Sequence, residues 1–232
     1  METYRFLFPA LAGRKRILEV GCGRGALAAK LGAQGFALTA LDQSLKHVEA
    51  RDAAGVTFVE RDFLAYEAEP FEAIFFVTSL HHVSPLDSAL RRAHELLVPG
   101  GLLLIDEFSV EAPDAQTARW YYELQELLAL SGLYHSEHIH GSAAETPLAR
   151  WSAEHQEDPP LNTGSVMTTA VAQRFEVLET TLGPYLYRYL GGGLRADEQG
   201  QRLARFILES EKKRIAEGTL RPVGLRLIAR KR

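Results

Sequence analysis

Hydrophobic and polar positions alternate between two periods through the first half of the chain. Short runs rich in apolar residues, Arg16–Val20, Phe36–Leu41, Val56–Glu60, Ala73–Thr78 and Leu102–Ile105, have the length of buried strands. Between them, Ala26–Gly32, Ser44–Ala54 and Leu86–Leu97 read as helices. Ser44 stands as an N-cap, and Pro99-Gly100-Gly101 forms a turn before the fifth strand. Strands alternating with helices imply right-handed crossovers and a parallel sheet covered on both faces.

The second half is less regular. Ala115–Leu130 has a long helical pattern that includes Trp120, Tyr121 and Tyr122. Gly164–Gln173 is helical, and Phe175–Thr181 alternates like a strand that Tyr185–Leu190 extends or turns. Ala196–Glu217 is a charged amphipathic helix and Val223–Ile228 a last alternating strand. The expectation is one domain over 1–232, with 110–173 a helical insertion lying over the strand ends as a substrate lid.

Composition narrows the function classes. The 232 residues are 46% apolar and 24% charged, enough to bury a core without staples. A single cysteine, Cys22, excludes an intrachain disulfide. The net charge of −4 argues against nucleic acid as a partner, because a polyanion needs a basic surface. The longest apolar runs are strand-sized, far below the ~20 residues of a membrane span. No leader pattern is visible at the first residues, so a cytoplasmic enzyme is the expectation. His135, His138, His140 and His155 cluster in one turn-rich stretch. Their spacing matches no metal motif, and a solvated loop is the expectation.

In a parallel sheet, ligands bind beyond the carboxyl ends of the strands. The residues that follow the strands are Gly21–Gly25, Asp42, Asp62, Thr78–His82 and Asp106-Glu107. Gly21-x-Gly23-x-Gly25 lets a ligand approach the backbone at a helix N-terminus. By spacing alone it remains open between a tight turn and a dinucleotide loop, whose third glycine would fall on Ala26. Glu19, two residues before the first glycine, would repel a pyrophosphate and would suit a ligand with positive charge. Asp42 can accept two ribose hydroxyls. Asp62 can accept from an adenine amino group, with Phe63 beside it to pack on the base. Three acids at successive strand ends suit a cation that carries a nucleoside.

These residues resemble a known family. Ile17-Leu18-Glu19-Val20-Gly21-Cys22-Gly23-Arg24-Gly25 is similar to motif I of the class I S-adenosylmethionine-dependent methyltransferases. Leu41-Asp42 resembles the ribose-binding acid of that family, and Glu60-Arg61-Asp62-Phe63 its adenine motif. Leu80-His81-His82-Val83 and Leu97-Val98-Pro99-Gly100-Gly101 resemble segments of its small-molecule branch. The resemblance implies a Rossmann-like, doubly wound α/β fold. Its sheet would have seven strands in the order 3-2-1-4-5-7-6, one of them antiparallel. It implies S-adenosylmethionine as cofactor, no metal, and a cofactor site built from Glu19, Gly21, Cys22, Gly23, Gly25, Asp42, Gln43, Asp62, Phe63 and Thr78. It also implies a histidine base that maps onto His81, with His82 as the alternate. Cys22 is expected to contribute backbone rather than thiol chemistry.

The expected reaction is methyl transfer to a small molecule by direct displacement. The segment after the fourth strand lacks the Asn/Asp-Pro-Pro-aromatic motif of enzymes acting on planar amino groups. Two alternatives stand beside it: a nicotinamide-dependent oxidoreductase, and a non-catalytic S-adenosylmethionine-binding protein.

Overall fold

A computed structural model describes residues 2–135 and 146–232. The first half contains α1 (Glu2–Leu11), β1 (Ile17–Val20), α2 (Ala26–Gly32), β2 (Leu38–Asp42), β3 (Val56–Glu60), β4 (Phe71–Val77), α3 (Leu86–Leu96) and β5 (Leu97–Phe108). Then come α4 (Ala115–Leu130), α5 (Pro147–Glu154), α6 (Gly164–Arg174), β6 (Glu176–Gly183), α7 (Leu186–Gly193), α8 (Glu198–Ala216) and β7 (Gly224–Arg230). The seven strands form one sheet in the order β3-β2-β1-β4-β5-β7-β6, as expected from the resemblance. Strands β1 to β5 pair in parallel. β7 runs antiparallel to β5: Gly100 and Gly101 exchange amide bonds with Lys231, while Ser109 donates to Val223.

The chain divides into two compact units. The first comprises Met1–Glu107, Asn162–Thr181 and Leu225–Arg232, and the second Phe108–Leu161 and Leu182–Gly224. In the first unit, successive strand residues point to opposite faces. Leu18, Val20, Ile74 and Phe76 bury against α3 and α6. Ile17, Ala40, Ala73 and Phe75 bury on the other face, with Leu7 and Leu11 of α1 and Leu31 of α2. The 110–173 segment is therefore divided between the units. Its last part, α6, belongs to the first, where Arg174 bonds Asp87 of α3 at 2.7 Å. The second unit has its own core, built from Phe108, Tyr121, Tyr122, Trp151, Tyr185 and Leu190. Tyr121 and Tyr122 are buried there. Among the described residues, no helix is long and apolar enough to cross a membrane.

Four segments differ from the sequence expectation. Ser44–Ala54 is a run of turns and bends, not a helix. Side chains take its leading amides: Asp42 accepts from Ser44 N at 3.2 Å and Glu60 from Leu45 N at 2.8 Å. Such bonds offer the backbone an alternative to the helical ladder. The Pro99-Gly100-Gly101 turn is instead a bulge inside β5. Phe71 faces Leu97 while Ala73 faces Leu102, and Gly100 supplies φ +74°. Tyr185–Leu190 forms helix rather than strand because the buried Glu211 carboxylate accepts from Tyr185, Leu186 and Tyr187 N, at 2.7, 2.9 and 2.9 Å. α1 was not anticipated, although Leu7 and Leu11 are spaced one turn apart and fully buried. His138 and His140 lie outside the described residues.

Candidate active site

The loops after β1, β2, β3 and β4 surround a cavity of about 420 Å³. Gly21, Gly23, Asp42 and Gln43 line it from the first two loops. Asp62 and Phe63 follow β3, and Thr78, Ser79 and His82 follow β4. Glu19, Cys22, Gly25 and His81 are not part of this wall. A larger groove of about 700 Å³ runs along α8 of the second unit, but its lining is an ordinary helix face of Asp197, Glu198, Arg202 and Phe206.

The glycine loop owes its shape to backbone demands. Gly21 and Gly25 have φ of +76° and +75°, a region costly for any residue with a Cβ. A Cβ on Gly21 would also overlap Ser79, whose hydroxyl donates to Val20 O at 2.6 Å. The β1 and β4 loops are thus clasped together. Thr78 has φ +52° and is the one described non-glycine residue with positive φ. For a β-branched residue that is a strained conformation, of a kind that clusters at functional sites.

Asp42 organises the loop as well as facing the cavity. Its Oδ2 accepts from Gly23 N at 2.8 Å and its Oδ1 from Ser44 N at 3.2 Å. Each carboxylate oxygen has a second lone-pair direction for a further donor. Asp62 accepts from Leu64 N at 3.0 Å and caps the short turn that carries Phe63. The Phe63 ring packs edge-on against Phe76, with centroids 5.4 Å apart, so one side of it belongs to the core.

Glu19 is 3% exposed, and its Oε2 has no hydrogen-bond partner. Burial, with the nearby Asp42 charge adding to it, pushes its carboxyl up to about 8. A buried acceptor without a donor costs free energy, and it suits a ligand that brings a cation. Burial, then Glu19 and Asp42, push the Cys22 thiol up to about 12, which keeps it protonated and unreactive.

The histidine pair is divided. His82 is exposed and on the cavity wall. His81 is 6% exposed, its ring centroid 4.0 Å from that of His82, and its Nδ1 lies 2.7 Å from Glu107 Oε2. Asn162 holds the same loop through its side-chain amide, which donates to Leu80 O and Val83 O, at 3.0 and 2.9 Å. Sequence reasoning gave no role to Ser79 or Asn162 and left Glu107 open between helping to bind substrate and being a polar residue that leaves a strand. Position at a strand end was the only signal for Glu107, and Asn162 carried none.

The model of a methyltransferase domain family matches residues 1–148. The chain belongs to the methyltransferase-domain family. Its sheet order is that of the class I S-adenosylmethionine-dependent members, whose methyl donor is S-adenosylmethionine. A ubiquinone biosynthesis O-methyltransferase from Caulobacter sp. strain K31 is 34% identical over 99 residues, which are 39% of this chain and 39% of that protein. The chain thus spans well under half the length of that curated relative. The crystal structure of an S-adenosylmethionine-dependent methyltransferase from Mesorhizobium loti superposes with a TM-score of 0.58 at 18% identity, over 99% of this chain and 96% of the other. The cyclase SpnF superposes with a TM-score of 0.54 at 19% identity, over 97% and 75%. At these identities the likeness is one of fold, and the fold hosts more than one reaction.

Proposed function

We propose that this methyltransferase-family chain moves a methyl group from S-adenosylmethionine to a small-molecule acceptor by direct displacement. The cofactor supplies a methyl carbon made electrophilic by its sulfonium. The chain supplies binding, alignment and a site from which water is excluded. Glu19 faces the α-ammonium, Asp42 the ribose hydroxyls, and Asp62 with Phe63 the adenine. Gly21 and Gly23 bring the backbone close and, with Gln43 and Thr78, complete the wall, while Gly25 closes the turn behind them by donating its N to Cys22 O. Where the acceptor carries a proton, His81 or His82 takes it as the new bond forms. We assign 110–161 the role of covering the acceptor. The last part of the segment expected as a lid, 162–173, is assigned instead to holding the β4 loop.

The observation that carries this reading is the unpaired, buried oxygen of Glu19. A dinucleotide would bring a pyrophosphate to the glycine loop beside the Asp42 carboxylate and offer no cation to the unpartnered Glu19 oxygen, whereas S-adenosylmethionine brings an ammonium and a sulfonium. A small acceptor is favoured over nucleic acid by the net charge of −4. The test has two arms. Calorimetry compares S-adenosylhomocysteine with NAD, and binding of NAD alone would refute the cofactor assignment. Incubation with methyl-labelled S-adenosylmethionine and a metabolite extract should label a small molecule. Cofactor binding with no labelled product would favour a non-catalytic binder.

A further inference from the structure

The most heavily satisfied acid beside the site is one to which the proposed reaction gives no role. Glu107, at the end of β5, is fully buried. Its Oε1 accepts from Ser79 N at 2.7 Å and Leu80 N at 2.6 Å, while its Oε2 meets His81 Nδ1 at 2.7 Å. A buried carboxylate is tolerated when donors surround it, and short bonds of this kind are charge-assisted. With both backbone amides on Oε1, the remaining oxygen asks His81 for a proton on Nδ1. A neutral imidazole carries one N–H, so that demand makes Nε2 the nitrogen with the lone pair. The β4 loop that carries the pair is also held by Asn162, whose side-chain amide donates to Leu80 O and Val83 O and whose backbone N donates to His81 O at 2.9 Å. The imidazole is thus held by Glu107, and its loop by Asn162.

We propose that Glu107 is a positioning residue. It holds His81 as the Nδ1–H tautomer, so that the basic nitrogen of the pair is Nε2, and it fixes the loop that presents His82 to the cavity. The catalytic purpose of this arrangement rests on the methyl-transfer reading above, whereas the tautomer does not. Glu107 does not touch the reacting atoms; it acts through His81 and the loop.

Glu107→Gln makes a sharp test. The two backbone amides claim the carbonyl oxygen of the new side chain, which turns its NH2 toward His81 Nδ1. A donor facing Nδ1 forces the proton to Nε2. Long-range ¹⁵N–¹H spectra of the histidine-labelled full chain should therefore show Nδ1–H for His81 in the wild type and Nε2–H in E107Q. S-adenosylhomocysteine affinity should stay within about threefold. Methyl transfer from labelled S-adenosylmethionine into a metabolite extract should fall by about 100-fold, the usual share of a positioned base. A wild-type His81 protonated on Nε2 at neutral pH overturns the proposal, and that measurement needs no variant to fold. A switched tautomer with unchanged transfer overturns its catalytic half. Failure of the underlying reading registers elsewhere: the wild type then binds no S-adenosylhomocysteine, whatever the tautomer of His81.

Discussion

Glu19 and Asp42 sit at adjacent strand ends and do different work. Glu19 is shielded from water, and its carboxyl is raised from 4.5 to about 8 by burial and by Asp42. Between those values the folded state holds a proton that the unfolded chain has released. Stability from this group is fully present below about pH 4.5 and is lost as pH rises through about 8. A shift of that size is worth on the order of a few kcal/mol at pH 9. Glu19→Gln should therefore raise the melting temperature of the ligand-free protein at pH 9, flatten its fall with pH, and weaken S-adenosylhomocysteine. Melting curves from pH 5 to 9, with calorimetry beside them, check all three. A variant that melts lower at pH 9 would show that Glu19 does not carry this cost. Asp42 is already bonded to Gly23 and Ser44 amides, and it lines the cavity. Asp42→Ala removes acceptors for the ligand and also loosens the glycine loop. S-adenosylhomocysteine should bind roughly tenfold or more weakly, since bonds to a charged acceptor are worth about 1.5–3 kcal/mol each. Unchanged affinity would remove Asp42 from the site.

At the scale of elements, the ends are decided by single carboxylates. β2 stops at Asp42, whose bond to Ser44 N helps divert the following residues into turns. α7 starts where Glu211, on α8, takes the amides of Tyr185, Leu186 and Tyr187. An α-helix begins with amides that lack partners, and here one buried side chain supplies the acceptors. Burial raises the Glu211 carboxyl from its ordinary value, and the three amides work against that rise. Glu211→Ala should cost roughly 2 kcal/mol or more, because it strands buried donors as well as removing their acceptor. Urea unfolding of the full chain measures it, and a midpoint equal to wild type would mean that α7 holds itself. Both carboxylates also explain what periodicity could not. Ser44–Ala54 reads locally as a helix and Tyr185–Leu190 as the extension or turn of a strand, and in each case a side chain outside the segment chose the structure.

For the whole molecule, methyl-donor binding and acceptor choice should be separable. The cavity beyond β1 to β4 is lined by the first unit alone, while 110–161 lies in the second. Replacing 110–161 with the corresponding segment of a related methyltransferase should change which acceptor is labelled and leave S-adenosylhomocysteine affinity within a few-fold. The reverse pattern would refute the covering role. Deleting the segment is a poorer test, since Trp151 is 2% exposed in the core of the second unit. Much of this architecture was legible in the chain. Apolar runs at strand length, glycines at 21, 23 and 25, and acids at strand ends are local patterns; the sheet order came only with the family resemblance that these residues carry, and the structure sets Gly21, Asp42, Asp62 and Thr78 around one cavity. The exposure of His82, the burial of His81 and its bond to Glu107, 26 residues away, were not legible. Periodicity and residue chemistry are written between near neighbours, so the sequence by itself determined the strands, their alternation with helices and the loop that follows β1. The partner of a buried charge is set by which strands lie side by side and by how much water they exclude, and only the tertiary structure decided that.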